Sequence, residues 1–152
     1  MKPPVLQPSL YGRRYAIAGF SLVELLVVLV IMGVLSAVAL PAYTRYVQRG
    51  HRTEAMAALL ESQHFMERYY SANGQYLSPA NAVPSLPQRL QGIPSQGTVR
   101  YQLSVSEATL NSYVLQAVPK GSMTGDVCGS LTINQAGLRG VSSTRSVAEC
   151  WR

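Results

Sequence analysis

Hydrophobic and polar residues follow three successive patterns along this chain. From Phe20 to Leu40 the sequence is apolar with a single charge, Glu24, and the stretch Leu25–Leu40 has none. As a helix rising 1.5 Å per residue, these 21 residues span about 31 Å, close to the thickness of a bilayer core. From Ala42 to about Ser71 the pattern turns amphipathic. Met56, Leu59, Leu60, Met66 and Tyr69 recur at three- and four-residue steps, while Arg45, Arg49, Arg52, Glu61 and Arg68 fall mostly elsewhere. Asn73-Gly74 is a stop signal. One helix over Phe20–Ser71 would run about 78 Å, so its apolar half must protrude and needs lipid or copies of itself. Pro41 lacks an amide donor and crowds the preceding turn, which predicts a kink or local melting there.

The third pattern begins after a long connection. Asn73–Gly97 holds Pro79, Pro84, Pro87 and Pro94 with three glycines, and reads as a loop of the length that is often functional. Val99–Ser106 then alternates, with Val99, Tyr101, Leu103 and Val105 on one face. Tyr113–Val118, Ser130–Asn134 and Leu138–Ser142 read as three more strands, and Asn134-Gln-Ala-Gly137 suits a hairpin turn. The expectation is an α+β fold, a long N-terminal helix packed on a four-stranded antiparallel sheet. The predicted organisation is a leader at 1–19, an apolar helix at 20–43 and a head at 44–152.

Charge changes this picture little. The formal net charge is +6, but Lys2, Arg13 and Arg14 lie in the proline-bearing segment Met1–Gly19, which has no acidic residue and is set aside as a leader. The remaining ten Lys/Arg face seven Asp/Glu, a net +3, compatible with an anionic partner but not proof of one. Arg13 and Arg14 place the N-terminus in the cytoplasm; Arg45, Arg49 and Arg52 on the other flank weaken that assignment. Cys128 and Cys150 show no C-x-x-C spacing and no His cluster, so metal ligation is disfavoured. In an exported protein a disulfide is the default, worth roughly 3 kcal/mol for a loop of this size.

The residues richest in chemistry are Gly19-Phe20-Ser-Leu-Val-Glu24. Glu24 sits at the lip of a membrane-length apolar segment; a charge at mid-bilayer depth costs roughly 2.5–3.5 kcal/mol, and such residues usually have a partner. An α-amino group created by cutting between Gly19 and Phe20 is the natural one. This block resembles the N-terminal methylation motif of type IV prepilins, densely over Gly19–Tyr46 and more weakly through Arg52-Thr-Glu-Ala and Phe65–Tyr76. Cys128–Gly137 and Glu149-Cys150-Trp151 are similar to PilE-type pilins. The resemblance implies that a prepilin peptidase cuts before Phe20 and methylates its amine, leaving Glu24 as the fifth mature residue. It also implies a minor subunit that waits in the inner membrane of a Gram-negative envelope. An assembly platform would then extract it into an extracellular filament of pilin subunits serving twitching, adhesion or DNA uptake. Glu24 would neutralise the Phe20 amine of a neighbour, and Gly33, Ser36 and Ala37 would allow close helix approach. Pro41 is an assembly residue on the same reading.

Other residues carry weaker signals. Arg139, Arg145 and Arg152, near the cysteines, are candidate DNA contacts, since some similar minor pilins are DNA-uptake receptors. Tyr69, Tyr70, Tyr76, Tyr101 and Tyr113 suit either a contact surface or core packing, with packing favoured. His51 and His64 stand thirteen residues apart with no third ligand in register, so no metal is expected. No nucleophile elbow, triad or phosphate-binding glycine loop occurs, and neither an enzyme nor a cofactor is expected. Three other readings stay open. The chain could be a type II secretion pseudopilin, which shares the motif. It could be a secreted periplasmic binding module whose ordinary signal peptide is cut after Ala39, or an anchor that is never cut.

Overall fold

The computed structural model describes residues 19–152, so the segment read as a leader lies outside the description except for Gly19. The described residues fall in two units, one ending at Leu40 and one comprising Pro41–Arg152.

In the first unit, helix α1 (Leu22–Asn73) begins one residue after Ser21, whose carbonyl accepts the first bond from the Leu25 amide at 3.1 Å. Its apolar side chains up to Leu40 are all exposed, from 44% at Val28 to 78% at Leu22. An 18-residue window here has a mean hydropathy of 2.8, and none of it is buried, so the helix is long and apolar enough to cross a membrane. An exposed apolar surface of this extent requires lipid or another protein against it.

Helix α1 includes Pro41 and does not melt there. The Pro41 carbonyl accepts from Thr44 Oγ1 and from Arg45 Nε, both at 3.1 Å. One face of α1 is buried: Arg52, Ala55, Met56, Leu59, Ser62 and Met66 follow the three- and four-residue steps of a helix. Buried Ser62 returns its hydroxyl to the Ala58 carbonyl at 2.8 Å, so it leaves no orphan donor.

The sheet has five strands, not the expected four. They are β1 (Gly92–Ile93), β2 (Tyr101–Ala108), β3 (Tyr113–Pro119), β4 (Leu131–Asn134) and β5 (Arg139–Val141), in that order and antiparallel throughout. The added strand β1 pairs only Gly92 with Gln102 and Ile93 with Tyr101, directly before Pro94. Two residues in a proline-rich stretch show no alternation, which is why the pattern missed them. The same stretch, expected as a bare connection, carries a short helix α2 (Gln88–Gln91) and buries Leu86, Leu90 and Ile93. The β4–β5 turn forms where the sequence signal stood. Asn134 Oδ1 accepts from the amides of Ala136 and Leu138, both at 3.0 Å, and Gly137 takes a φ of 73° that a side chain would resist.

Alternation fills the core. Tyr101 and Leu103 of β2, Tyr113, Leu115 and Ala117 of β3, and Leu131 and Ile133 of β4 are buried with Leu59 and Met66 of the helix. The tyrosines are packing residues. Tyr76 and Tyr113 meet edge to face at 4.7 Å, and both donate to Glu67 of α1, at 3.1 and 3.0 Å. Burial and the Glu67 carboxylate push the Tyr76 phenol up to about 12 and Tyr113 higher still. Burial and Asp126 do the same to Tyr101. An acid whose pKa is raised by folding is held protonated in the native state. Its stabilisation is therefore complete below pH 10 and is lost as the pH rises through about 12. Denaturation midpoints should fall over that interval, and Tyr76→Phe should shallow the fall.

Candidate nucleic-acid interface

Three elements of the second unit build one basic cavity. Arg45, Arg49 and Arg52 stand at helical spacings of four and three on α1, so they share a face with Gln48. That face continues directly into the buried stripe at Ala55 and Met56. Opposite it run Val127 and the disulfide, and then Arg145, Glu149 and Arg152. These residues enclose a cavity of about 460 Å³.

The disulfide joins Cys128 to Cys150, and both are buried. It ties the segment after β5 to the segment before β4. The short helix α3 (Val147–Cys150) is set by Ser146, whose Oγ accepts from the Glu149 amide at 3.2 Å. Gly129 beside Cys128 takes a φ of 61°, and a Cβ there would run into Ser142 Oγ. Ser142 Oγ in turn accepts the Ser130 amide at 2.8 Å. Trp151 donates its indole N–H to the Gly140 carbonyl at 3.1 Å, which docks the last turn on β5.

The arginines are not equivalent. Arg52 is buried and pairs with Asp126 through two nitrogens, Nε to Oδ2 at 3.1 Å and Nη2 to Oδ1. Tyr101 Oη donates to Asp126 Oδ2 at 2.8 Å. Burial works against the Arg52 charge, but the Asp126 carboxylate outweighs it and holds the guanidinium above its usual range. Arg52 therefore brings no free charge to the cavity. Arg45, Arg49, Arg145 and Arg152 do, against Glu149 alone, so four cations and one anion leave +3 at the rim. Among the described residues none of those four arginines has a carboxylate within ion-pair distance.

Of the three expected DNA contacts, Arg145 and Arg152 come together in the cavity. Arg139 lies on β5 with its guanidinium carbon 5.0 Å from the Trp151 ring centre, a cation–π contact outside the lining. In the sequence Arg45 and Arg49 stand only as charges flanking the apolar run. Their shared helical face with Arg52 was visible in the spacing, but the facing C-terminal arginines were not. His51 sits 4.0 Å from Glu54, and among the described residues no cluster of His, Cys, Asp or Glu is arranged for a metal ion.

A sequence profile described as "Type IV minor pilin ComP, DNA uptake sequence receptor" matches residues 41–132, and a prokaryotic N-terminal methylation motif matches residues 14–40. The chain is 34% identical over 103 residues to the type IV wide pilus major component PilA4 of Thermus thermophilus, covering 68% of this chain and 74% of that protein. It is 36% identical over 98 residues to the type IV major pilin PilE1 of Neisseria gonorrhoeae, covering 62% and 53%. The crystal structure of the non-core minor pilin PilV of Neisseria meningitidis superposes with a TM-score of 0.49 at 22% identity, over 66% of this chain and 92% of that one. The chain belongs to the type IV pilins, in the ComP-like minor pilin family. It spans about half the length of several curated relatives it matches, PilE1 among them. The relatives are structural pilins.

Proposed function

We propose that this chain is a minor pilin that binds DNA phosphates through the arginine-lined cavity beside its disulfide. The observation that carries the reading is the convergence of Arg45, Arg49, Arg145 and Arg152 on one concavity with Arg52 already neutralised. Guanidinium groups suit phosphodiesters because their planar forks donate two parallel bonds. The family description, a DNA uptake sequence receptor, points the same way. Duplex binding by the full chain in detergent, measured over a range of salt, tests it. Affinity should fall steeply as salt rises, and no binding at low salt would end the reading.

On the same proposal the chain is anchored in the inner membrane, cut between Gly19 and Phe20, methylated at Phe20 and assembled with other pilins into an extracellular filament. The support is the exposed apolar surface of residues 20–40 and the methylation motif over it. Leaving lipid for a bundle of like helices nearly conserves burial, so the transfer can run both ways. Inside such a bundle the Glu24 carboxylate and a neighbour's Phe20 amine are each costly alone and tolerable together, which favours the paired axial register. Glu24→Ala should therefore be processed and membrane-bound, yet at least about tenfold depleted from filaments. Immunoblots of sheared fibres against membranes measure this, and wild-type incorporation would remove Glu24 from that role.

A further inference from the structure

We infer that the cavity is a nucleotide subsite: its arginines hold the phosphate of one unpaired nucleotide, while Gln48 and Glu149 read the amino edge of that nucleotide's base. The inference rests on the DNA reading above and adds to it a substrate class, DNA with unpaired bases, and a preference among those bases.

Three features of the lining serve no purpose in phosphate binding. The first is Glu149, a carboxylate among arginines. A phosphodiester only accepts hydrogen bonds, so a carboxylate beside it repels it and gives it no donor. Nor does Glu149 hold the arginines in place, since among the described residues it forms no ion pair. Its part in capping α3 belongs to its backbone amide, which donates to Ser146 Oγ at 3.2 Å. The second is Gln48, half-buried on the face of α1 that carries Arg45, Arg49 and Arg52. From Thr44 to Thr53 the side-chain hydrogen bonds belong to Thr44, Arg45, Arg52 and Thr53, and among the described residues the Gln48 amide has none. An amide brings an acceptor oxygen that no phosphate can use. The third feature is apolar: Val127 lines the cavity at 58% exposure, beside the disulfide.

A nucleobase uses all three. Its exocyclic amino group donates to a carboxylate, and an amino group beside a ring acceptor matches a glutamine amide in two parallel bonds. The face of the ring packs on apolar side chains, on sulfur and on guanidinium planes. Adenine and cytosine each carry an amino group next to an accepting ring nitrogen. Thymine and uracil present a carbonyl oxygen at that place, which the Glu149 carboxylate would repel. Shape then decides the state of the strand. Paired bases are read by a helix or ribbon that protrudes into a groove. Here the protein is concave, so the nucleic acid must do the entering. A volume of about 460 Å³ lies in the range of small-ligand sites, roughly 300–1,000 Å³, and suits one splayed nucleotide. Single strands and frayed duplex ends offer such nucleotides.

The test titrates the full chain in detergent with oligodeoxycytidine and oligodeoxyuridine of about 12 nucleotides, and with a mixed-sequence duplex of the same length. The two single strands have the same backbone and differ only at the base edge. The wild type should bind oligodeoxycytidine at least about fivefold more tightly than oligodeoxyuridine. Q48A removes no charge, so it should cut that preference below about twofold and leave the salt slope unchanged. E149Q separates the readings most sharply. At a site for phosphate alone, loss of an anion strengthens binding to both oligomers alike. If Glu149 accepts from the amino group, oligodeoxyuridine gains and oligodeoxycytidine does not, so the preference collapses. On the duplex Q48A should change affinity by less than about twofold, because paired bases stay outside. Circular dichroism unchanged from wild type shows that the variants fold. Equal wild-type affinity for the two oligomers would overturn the inference, as would a preference that survives both variants, or an equal effect of Q48A on duplex and single strand. Any of these results with duplex binding intact would leave the DNA reading standing. Binding to neither the oligomers nor the duplex at low salt would sink both.

Discussion

Asp126→Ala is expected to lower the stability of the Pro41–Arg152 unit by about 3–5 kcal/mol, the usual result of breaking a buried ion pair from one side. The Asp126 side chain is fully buried and its partner Arg52 is 9% exposed. Asp126 accepts from Arg52 Nε, from Arg52 Nη2 and from Tyr101 Oη. Removing it strands a guanidinium and a phenol that have no other partner nearby, and an unsatisfied buried donor alone costs about 1–3 kcal/mol. The damage comes from the stranded partners and not from the worth of the pair. R52M/D126L removes both charges together and leaves only the Tyr101 phenol without its acceptor, so it should recover the part of the loss that comes from the stranded guanidinium. Denaturant unfolding of the wild type, R52M, D126L and R52M/D126L checks this as a double-mutant cycle. A loss below about 1 kcal/mol for the single variant would contradict the assignment.

The second large effect concerns DNA. R45Q/R49Q/R145Q/R152Q should abolish most binding at moderate salt while leaving stability near wild type, because all four side chains are surface groups without carboxylate partners among the described residues. Each lost phosphate contact removes about 0.9 from the slope of log affinity against log salt, so the slope should shallow by up to about 3.6. Arg52 is left in place because its charge is already neutralised by Asp126. Arg139→Gln is the matched control. Its guanidinium lies on Trp151 and outside the lining, so affinity should change by less than about twofold. Equal losses per arginine removed in the two variants would show general charge attraction and no site.

Much of this fold was legible because its signals are local. The three- and four-residue steps from Met56 to Met66 became the buried face of α1. The alternation from Tyr101 to Val105 became β2, and Asn134–Gly137 became the β4–β5 turn. The misses were short or tertiary. Strand β1 is two residues long, and helix α3 is a single turn held by its Ser146 cap. Asp126 carries no local signal in the sequence, since its partner Arg52 lies 74 residues away. The cavity was half legible. Arg145 and Arg152 were grouped by closeness in sequence, whereas Arg45 and Arg49 join them only through the packing of α1 beneath the disulfide. Arg139 shows the limit of grouping by closeness, because Trp151 holds it elsewhere.

On the proposed reading, proteolysis before Phe20 releases a membrane-length helix for assembly into fibres. Shearing surface filaments from cells that make this chain, and sequencing its N-terminal peptide by mass spectrometry, tests this most directly. The chain is expected in the fibres, beginning at N-methylated Phe20. A mature chain beginning at Leu40, an uncut chain, or a chain absent from the fibres would contradict it.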